Sequence, residues 1–261
     1  MMRSLNIASS GMMAQQTNVE VISNNIANLN TTGYKKQRAE FQDLIYQNLR
    51  NAGANSSDSG TLVPAGIQLG LGVKTAAISR NLEQGSMNVT AKPLDVAIQG
   101  KGYLQVTLPD GRTAYTRDGG LSLSPTGTIV SADGYVVQPS ITVPSDTKTL
   151  TINTNGEVIA EIAGQSAPQI LGQFQLATFS NEGGLDAMGN NLFLETAGSG
   201  SPVTGVAGST GFGSIQQGFL EGSNVNVVNE ITSLISAQRA YEMNSKVIEA
   251  SDQMLTNLSK I

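Results

Sequence analysis

The sequence predicts an α+β protein in which N- and C-terminal helices pair as a coiled-coil-like module around an inserted, mainly antiparallel β domain. Three observations carry this reading: an apolar seven-residue repeat at each end of the chain, a period-two pattern between them, and hairpin dipeptides spaced through that middle region. Leu5, Met12, Val19 and Ile26 recur every seventh position, with Ala8, Ile22 and Leu29 three further on, and Val227, Leu234, Tyr241, Ile248 and Leu255 repeat the spacing at the other end. This spacing draws one narrow apolar stripe along a helix, the geometry of a coiled-coil seam. Each seam therefore needs a partner, either the other helix or a copy of the chain.

The first helical period holds from Leu5 to about Asn28, and Asn30, Thr31, Thr32 and Gly33 supply the residues that end a helix and turn the chain. Ser9-Ser10-Gly11 lies inside it, and a mid-helix Gly costs ~1 kcal/mol relative to Ala. This helix depends on packing for its stability. Phe41, Leu44, Ile45 and Leu49 make a short helical or extended piece before Asn51 to Gly60, a polar stretch without a period that reads as a linker or long loop. From about Gln68 to Gln216 the period becomes two, with strands expected at Asp95–Ile98, Tyr103–Leu108, Thr128–Val130, Tyr135–Val137, Thr149–Ile152 and Phe174–Phe179. Asp110-Gly111, Asp118-Gly119, Asp133-Gly134 and Asn155-Gly156 supply the positive φ that hairpin turns need. Gly198 to Gly213 reads as a loop leading back to the terminal helix. That helix takes Asn224 or Asn226 as its N-cap and runs close to the C-terminus, with Glu242 and Lys246 as an i,i+4 pair worth about 0.3–0.5 kcal/mol. The domains expected are a terminal-helix assembly domain (1–45 with 217–261), an extended linker (46–75) and a β domain (76–216).

Composition narrows the chemistry. The 261 residues are 39% hydrophobic, enough for a core, yet Trp, Cys and His are all absent and aromatics are 5%. Without His or Cys there is no Ser-His or Cys-His pair, no imidazole or thiolate zinc site and no ordinary proton shuttle near neutral pH. Net charge is −5, which disfavours nucleic acid as a partner, because phosphate binding needs a clustered positive field. The one dense basic run, Lys35, Lys36 and Arg38, reads as a solvated face or local ion-pair partner rather than a phosphate site. Met-Met-Arg-Ser at the start leads into no apolar h-region, so no Sec signal peptide is expected, and no stretch approaches ~20 continuous apolar residues, so no integral membrane span is expected either.

The remaining motifs have structural readings. Gly70-Leu-Gly72, Gly100-Lys-Gly102, Gly198-Ser-Gly200 and Gly211-Phe-Gly213 complete neither G-x-G-x-x-G nor a P-loop. Asp118 and Asp133 as a glycosidase pair compete with their position before Gly in turn sequences, where Asp110 also sits, and the turn reading is preferred. No acidic cluster has calcium-loop spacing. Met1, Met2, Met12, Met13, Met243 and Met254 suit adaptable helix packing rather than a cofactor box. No catalytic, cofactor-binding or metal-binding residues emerge, and a non-enzymatic protein is expected. The competing class, a cell-wall-acting β domain on a helical stalk, needs a carboxylate pair in a cleft, and no pair stands out.

Ser23-Asn-Asn-Ile-Ala-Asn-Leu-Asn-Thr-Thr-Gly-Tyr-Lys35 resembles the N-terminal signature of the bacterial flagellar rod and hook axial proteins. Ala237-Gln-Arg-Ala-Tyr-Glu-Met-Asn-Ser-Lys246 resembles that family's C-terminal helix motif, and Leu94-Asp-Val-Ala-Ile-Gln-Gly-Lys-Gly-Tyr-Leu104 a central one. Asn24, Asn25, Ala27, Asn28 and Gly33, with Gln238, Arg239, Ala240, Tyr241 and Glu242, carry the two end motifs. Ala14–Asn18, Gln37–Tyr46, Ala114–Gly120 and Thr178–Leu185 are most similar to the distal-rod branch; proximal-rod and hook branches are the alternatives. The resemblance implies a structural subunit without cofactor, self-assembling into a hollow helical drive shaft that transmits torque and carries an export channel. It further implies a homo-oligomeric filament whose partners are proximal-rod proteins, hook protein, the P-ring and L-ring proteins and the type III export apparatus. The expected location is the basal body, where the rod crosses the periplasm to the outer membrane. By the same resemblance, the stretch from Tyr46 to Gly72 stiffens the tube.

Overall fold

A computed structural model describes residues 2–51, 53, 64–165 and 167–258. It is α+β, as expected, with two terminal helices packed on each other and a mostly antiparallel β domain inserted between them. The chain divides into two compact units: Met1–Ala27, Gln37–Ser79 and Asn226–Ile261 form the first, Asn28–Lys36 and Arg80–Val225 the second.

In the first unit, α1 (Met2–Ala27) and α2 (Val227–Leu258) are joined by four strands, β1 (Gln37–Asp43), β2 (Tyr46–Arg50), β3 (Ile67–Gly70) and β4 (Val73–Arg80). Strand β1 pairs with β4 and β2 pairs antiparallel with β3. Phe41 and Leu49 therefore lie in strands, resolving the helical-or-extended alternative in favour of extended backbone. Most of the polar stretch from Asn51 to Gly60 lies outside the described residues; β2 ends at Arg50 before it, and β3 begins at Ile67. The N-cap of α2 is Asn226, whose Oδ1 accepts from the N–H groups of Val228 (3.1 Å) and Asn229 (3.2 Å). Asn224 does something else: its Oδ1 accepts from the Lys36 N–H at 2.7 Å and its Nδ2 donates to the carbonyls of Asn81 and Glu83 at 3.0 Å.

The second unit holds a large antiparallel sheet with Tyr103–Thr107 near its centre, flanked by Thr113–Thr116 on one side and Val136–Val137 on the other. A three-stranded meander (Thr147–Ile152, Glu157–Ile162, Gln169–Gln173) and two strand pairs complete it. Every expected strand is present, and most apolar residues there are buried: Leu104, Val106, Ile129, Val137, Val158, Phe174, Leu176 and Ile215 belong to one apolar core. Tyr103, Tyr115 and Phe179 form a second cluster with edge-on ring contacts at 4.8 and 6.1 Å.

Two expectations need correction. Gly198 to Gly213 is not all loop, since Val203–Val206 pairs with Gln175–Thr178. That strand lies largely exposed at an edge, so its sequence carries no hydrophobic alternation. Asp118-Gly119 is not a hairpin turn either. Gly119 packs against the Val96 carbonyl so closely that a Cβ has no room, and its own carbonyl accepts from the Val96 N–H at 3.0 Å. The other three dipeptides do turn hairpins, with φ of +84°, +85° and +80° at Gly111, Gly134 and Gly156.

Candidate assembly surface

Along the contact between α1 and α2 the facing side chains are small or polar. Ser4 meets Ser251 (Oγ to Oγ 3.4 Å), Gly11 lies against the Asn244 amide, and Asn25 Nδ2 donates to Glu230 Oε2 at 3.1 Å. Each step of seven down α1 is matched by a step of seven back along α2, as an antiparallel pair requires. The same register sets Asn18 opposite Ala237, which is buried. Gly11, a liability within an isolated helix, is what allows Asn244 this close: a Cβ there would come to 2.9 Å from Asn244 Nδ2.

At the end of the ladder Asn25 is 1% exposed and behaves like a piece of strand, donating from Nδ2 to the Gln37 carbonyl and accepting at Oδ1 from the Gln37 N–H, both at 2.8 Å. One side chain thus ties α1 to β1 and α2. Glu230 lies in the first turn of α2, where the positive end of the helix dipole favours its carboxylate.

The apolar repeats occupy the flank of this ladder, not its centre. Leu5, Met12, Val19 and Ile26 are half-buried, as are Val227, Leu234 and Ile248, while Tyr241 is 44% exposed and Leu255 is also exposed. Ile22 is buried. Leu29 lies beyond the end of α1, so the helical stripe stops at Ile26. Val19 and Tyr241, one from each stripe, line a single groove of about 500 Å³ with Gln16, Glu20, Gln238 and Glu242. Further large apolar side chains stand out from the same helices, among them Ile231, Ile235, Met243 and Val247.

The remaining family-motif residues divide by position. Asn24, Ala27, Arg239 and Glu242 are exposed and Ala240 is half-buried. Asn28 Oδ1 accepts from the Thr31 hydroxyl at 3.1 Å in the turn after α1. Gly33, in the β unit, sits at φ +68° with its N–H on the Glu221 carbonyl at 2.7 Å, and a Cβ there would stand 3.0 Å from the Arg117 backbone.

The basic run separates into different roles. Arg38 makes an exposed pair with Glu40 at 3.2 Å, whereas Lys35 is buried in the β unit with its Nζ 2.6 Å from Glu221 Oε1 and 2.8 Å from the Glu83 carbonyl. Arg117 Nε reaches the other Glu221 oxygen at 2.8 Å, and its Nη2 donates to the Gly100 carbonyl at 2.7 Å. Glu221 also accepts from the Gly85 N–H at 3.0 Å. Burial alone would raise the Glu221 carboxyl, but Arg117, Lys35 and the Gly85 N–H outweigh it and hold it below the ordinary range. Burial lowers the Lys35 ammonium, Arg117 adds to that, and Glu221 opposes both. Sequence reasoning missed Arg117 and Glu221, whose separation along the chain leaves no local signal.

The other carboxylates named from sequence serve turns. Asp118 Oδ1 accepts from the Gly120 N–H at 3.0 Å and Asp110 from the Arg112 N–H at 3.1 Å. Among the described residues the ion pairs are Lys35–Glu221, Arg117–Glu221, Arg38–Glu40 and Arg112–Asp110. The expected Glu242–Lys246 pair does not form; the two solvated side chains gain too little to hold one geometry.

The family profile described as "Flagella basal body rod protein" matches residues 5–35, "Flagellar hook protein FlgE/F/G D1 domain" matches 97–160, and "Flagellar basal body rod FlgEFG protein C-terminal" matches 216–261. The flagellar basal-body rod protein FlgG of Caulobacter vibrioides is 56% identical over 260 residues, covering 100% of this chain and 99% of that protein. Its counterparts in Agrobacterium fabrum and Bacillus subtilis are 49% and 39% identical, each over 99% of this chain and at least 98% of their own length. This similarity runs through the helix ladder, the β unit and both end motifs. The chain belongs to the family of flagellar basal-body rod proteins.

Proposed function

We propose that this protein is a structural subunit of the distal part of the flagellar rod, polymerising with copies of itself into a hollow helical shaft that transmits torque and leaves a channel for export. The observation that carries the reading is the helix pair of the first unit: small and polar side chains meet along its internal contact, while most of its apolar repeat positions are only partly covered and Tyr241, Leu255, Ile231, Ile235, Met243 and Val247 are exposed. A pair of helices that leaves this many large apolar side chains partly or fully exposed is built to be covered by further helices. The family supplies the context, a rod, and the full-length similarity to rod proteins favours that reading over hook protein. No enzymatic role is assigned. Its neighbours in this reading are proximal-rod proteins, hook protein and the P-ring and L-ring proteins. Its route is the flagellar export apparatus, and its place is the basal body between periplasm and outer membrane.

Replacing Leu234 and Ile248 together by Asp tests the assignment. Both residues are only half-buried in one chain, so the β unit folds normally, yet an unpaired charge in each repeated contact costs several kcal/mol. Rods should not form. Normal rods from this double variant would refute the assignment.

A further inference from the structure

Two features of the helix unit fit one another. The first is the groove at Val19 and Tyr241, apolar at its floor and flanked by Glu20 and Glu242. The ladder register extends that floor: if Val19 sits beside Tyr241, the same antiparallel steps of seven set Met12 beside Ile248, Leu5 beside Leu255 and Ile26 beside Leu234. The result is one stripe about 30 Å long, from the 1.5 Å rise per residue. Its acidic rim continues along α2, because Glu249 stands seven residues beyond Glu242 on the same helix face.

The second feature is the outer ridge of α2. Ile235, Arg239, Met243 and Lys246 follow at helical spacings of four, four and three, and all four are exposed, Met243 at 61%. Arg239 and Lys246 are seven residues apart, as Glu242 and Glu249 are, which is about 10 Å along a helix. Among the described residues none of these charges is in an ion pair.

We propose that the groove of one copy receives the Ile235–Lys246 ridge of a second copy, with Ile235 and Met243 on the Val19–Tyr241 floor and Arg239 and Lys246 against the Glu20 and Glu242 rim. This rests on the reading of the protein as a self-assembling subunit and names the two faces that meet. The faces differ, so the contact is head-to-tail, and a head-to-tail contact that does not close on itself propagates as a helical filament. The polar ladder supports this division: it fixes the register inside each chain and leaves the apolar stripe on its flank only partly covered.

The experiment is a charge exchange read by pelleting of the full-length chain over a concentration series. R239E/K246E and E20K/E242K should each raise the critical concentration at least tenfold, because like charges then face each other at every contact. An equimolar mixture of the two should restore it to within about threefold of wild type, since each acidic ridge now meets a basic groove and each remaining basic ridge an acidic one. The chain carrying all four changes should polymerise alone, which also shows that the substitutions have not prevented folding. Polymerisation of R239E/K246E at the wild-type concentration overturns the proposal while leaving the assembly reading intact, and so does failure of the mixture to recover. Wild-type protein that forms no polymer at any concentration overturns the assembly reading and the proposal with it.

Discussion

The two units solve the burial problem in opposite ways. In the β unit Phe174, Leu176, Val158 and Ile215 are completely buried, and three of the charges that enter, Lys35, Arg117 and Glu221, are matched to one another. In the helix unit most buried positions are small or polar, Ala8, Ala14, Asn25, Ala39, Glu230, Ala237 and Ser251, with Val21 and Ile22 the larger apolar side chains among them, while Ile235, Met243 and Val247 face outward. A unit that keeps its apolar surface inside is complete as one chain. A unit that turns it outward is completed by its neighbours, and the contrast separates what folds the protein from what assembles it.

The strongest way to break this contrast is to make a deletion in each core. Phe174→Ala empties a fully buried site and should cost about 3–5 kcal/mol, lowering the thermal midpoint of the β unit by many degrees. Leu234→Ala should move the monomer by about 1 kcal/mol or less and fall instead on polymerisation. Thermal unfolding and pelleting on both variants check the pair; a Leu234→Ala monomer destabilised as much as Phe174→Ala would erase the distinction.

Next in size is the ion cluster. Glu221→Ala leaves Lys35 and Arg117 buried without their counter-charge and should cost about 3–5 kcal/mol. The wild-type cluster also sets an acid limb. Because the folded Glu221 carboxyl is held below its unfolded value of about 4.3, its contribution is fully present above that value and is lost as pH falls through the folded one. Chemical denaturation of wild type across pH 2 to 6 should show that loss of stability, and Glu221→Gln should flatten it. An unchanged slope in Glu221→Gln would show that other carboxylates carry the acid response.

The smallest effect on the single chain is expected at the hairpin of the first unit. Strands β2 and β3 expose Leu49, Ile67 and Leu69, with Ile45 just before β2 exposed at 81%, and a two-stranded ribbon gains little from such a face on its own. We expect it to brace neighbouring subunits. Deleting Asn51 to Pro64 should leave monomer stability within about 0.5 kcal/mol while giving filaments that bend more easily. Filaments of unchanged curvature under electron microscopy would remove the bracing role.

These comparisons also explain what could be read in the chain beforehand. The β unit was legible where a strand is buried, as at Tyr103–Thr107, whose two faces are both covered, and invisible where a strand is exposed on an edge, as at Val203–Val206. Both helices were legible, since a seven-residue apolar repeat is a strong signal. What it misled about was which side of the helix faces the intrachain partner. The eye follows Leu5, Met12 and Val19, but the contact runs through Ser4, Gly11 and Asn25, residues whose small or polar character gives no hydrophobic signal at all. The role of Asn25 across α1, β1 and α2 and the meeting of Lys35, Arg117 and Glu221 depend on tertiary contacts between distant positions, and no local pattern encodes them.

Hydrogen exchange tests the central claim most directly, comparing monomer held below the polymerisation threshold with assembled protein. The β-unit amides, including those of Tyr103–Thr107 and Glu157–Ile162, should be protected to the same degree in both states. The amides of α1 and α2 should exchange at least a hundredfold faster in the monomer and become protected on assembly, because neighbouring copies complete the cover of their apolar stripe. Helices already protected in the monomer as strongly as the β unit, with no further gain on assembly, would contradict the claim that this unit is completed by other copies of the chain.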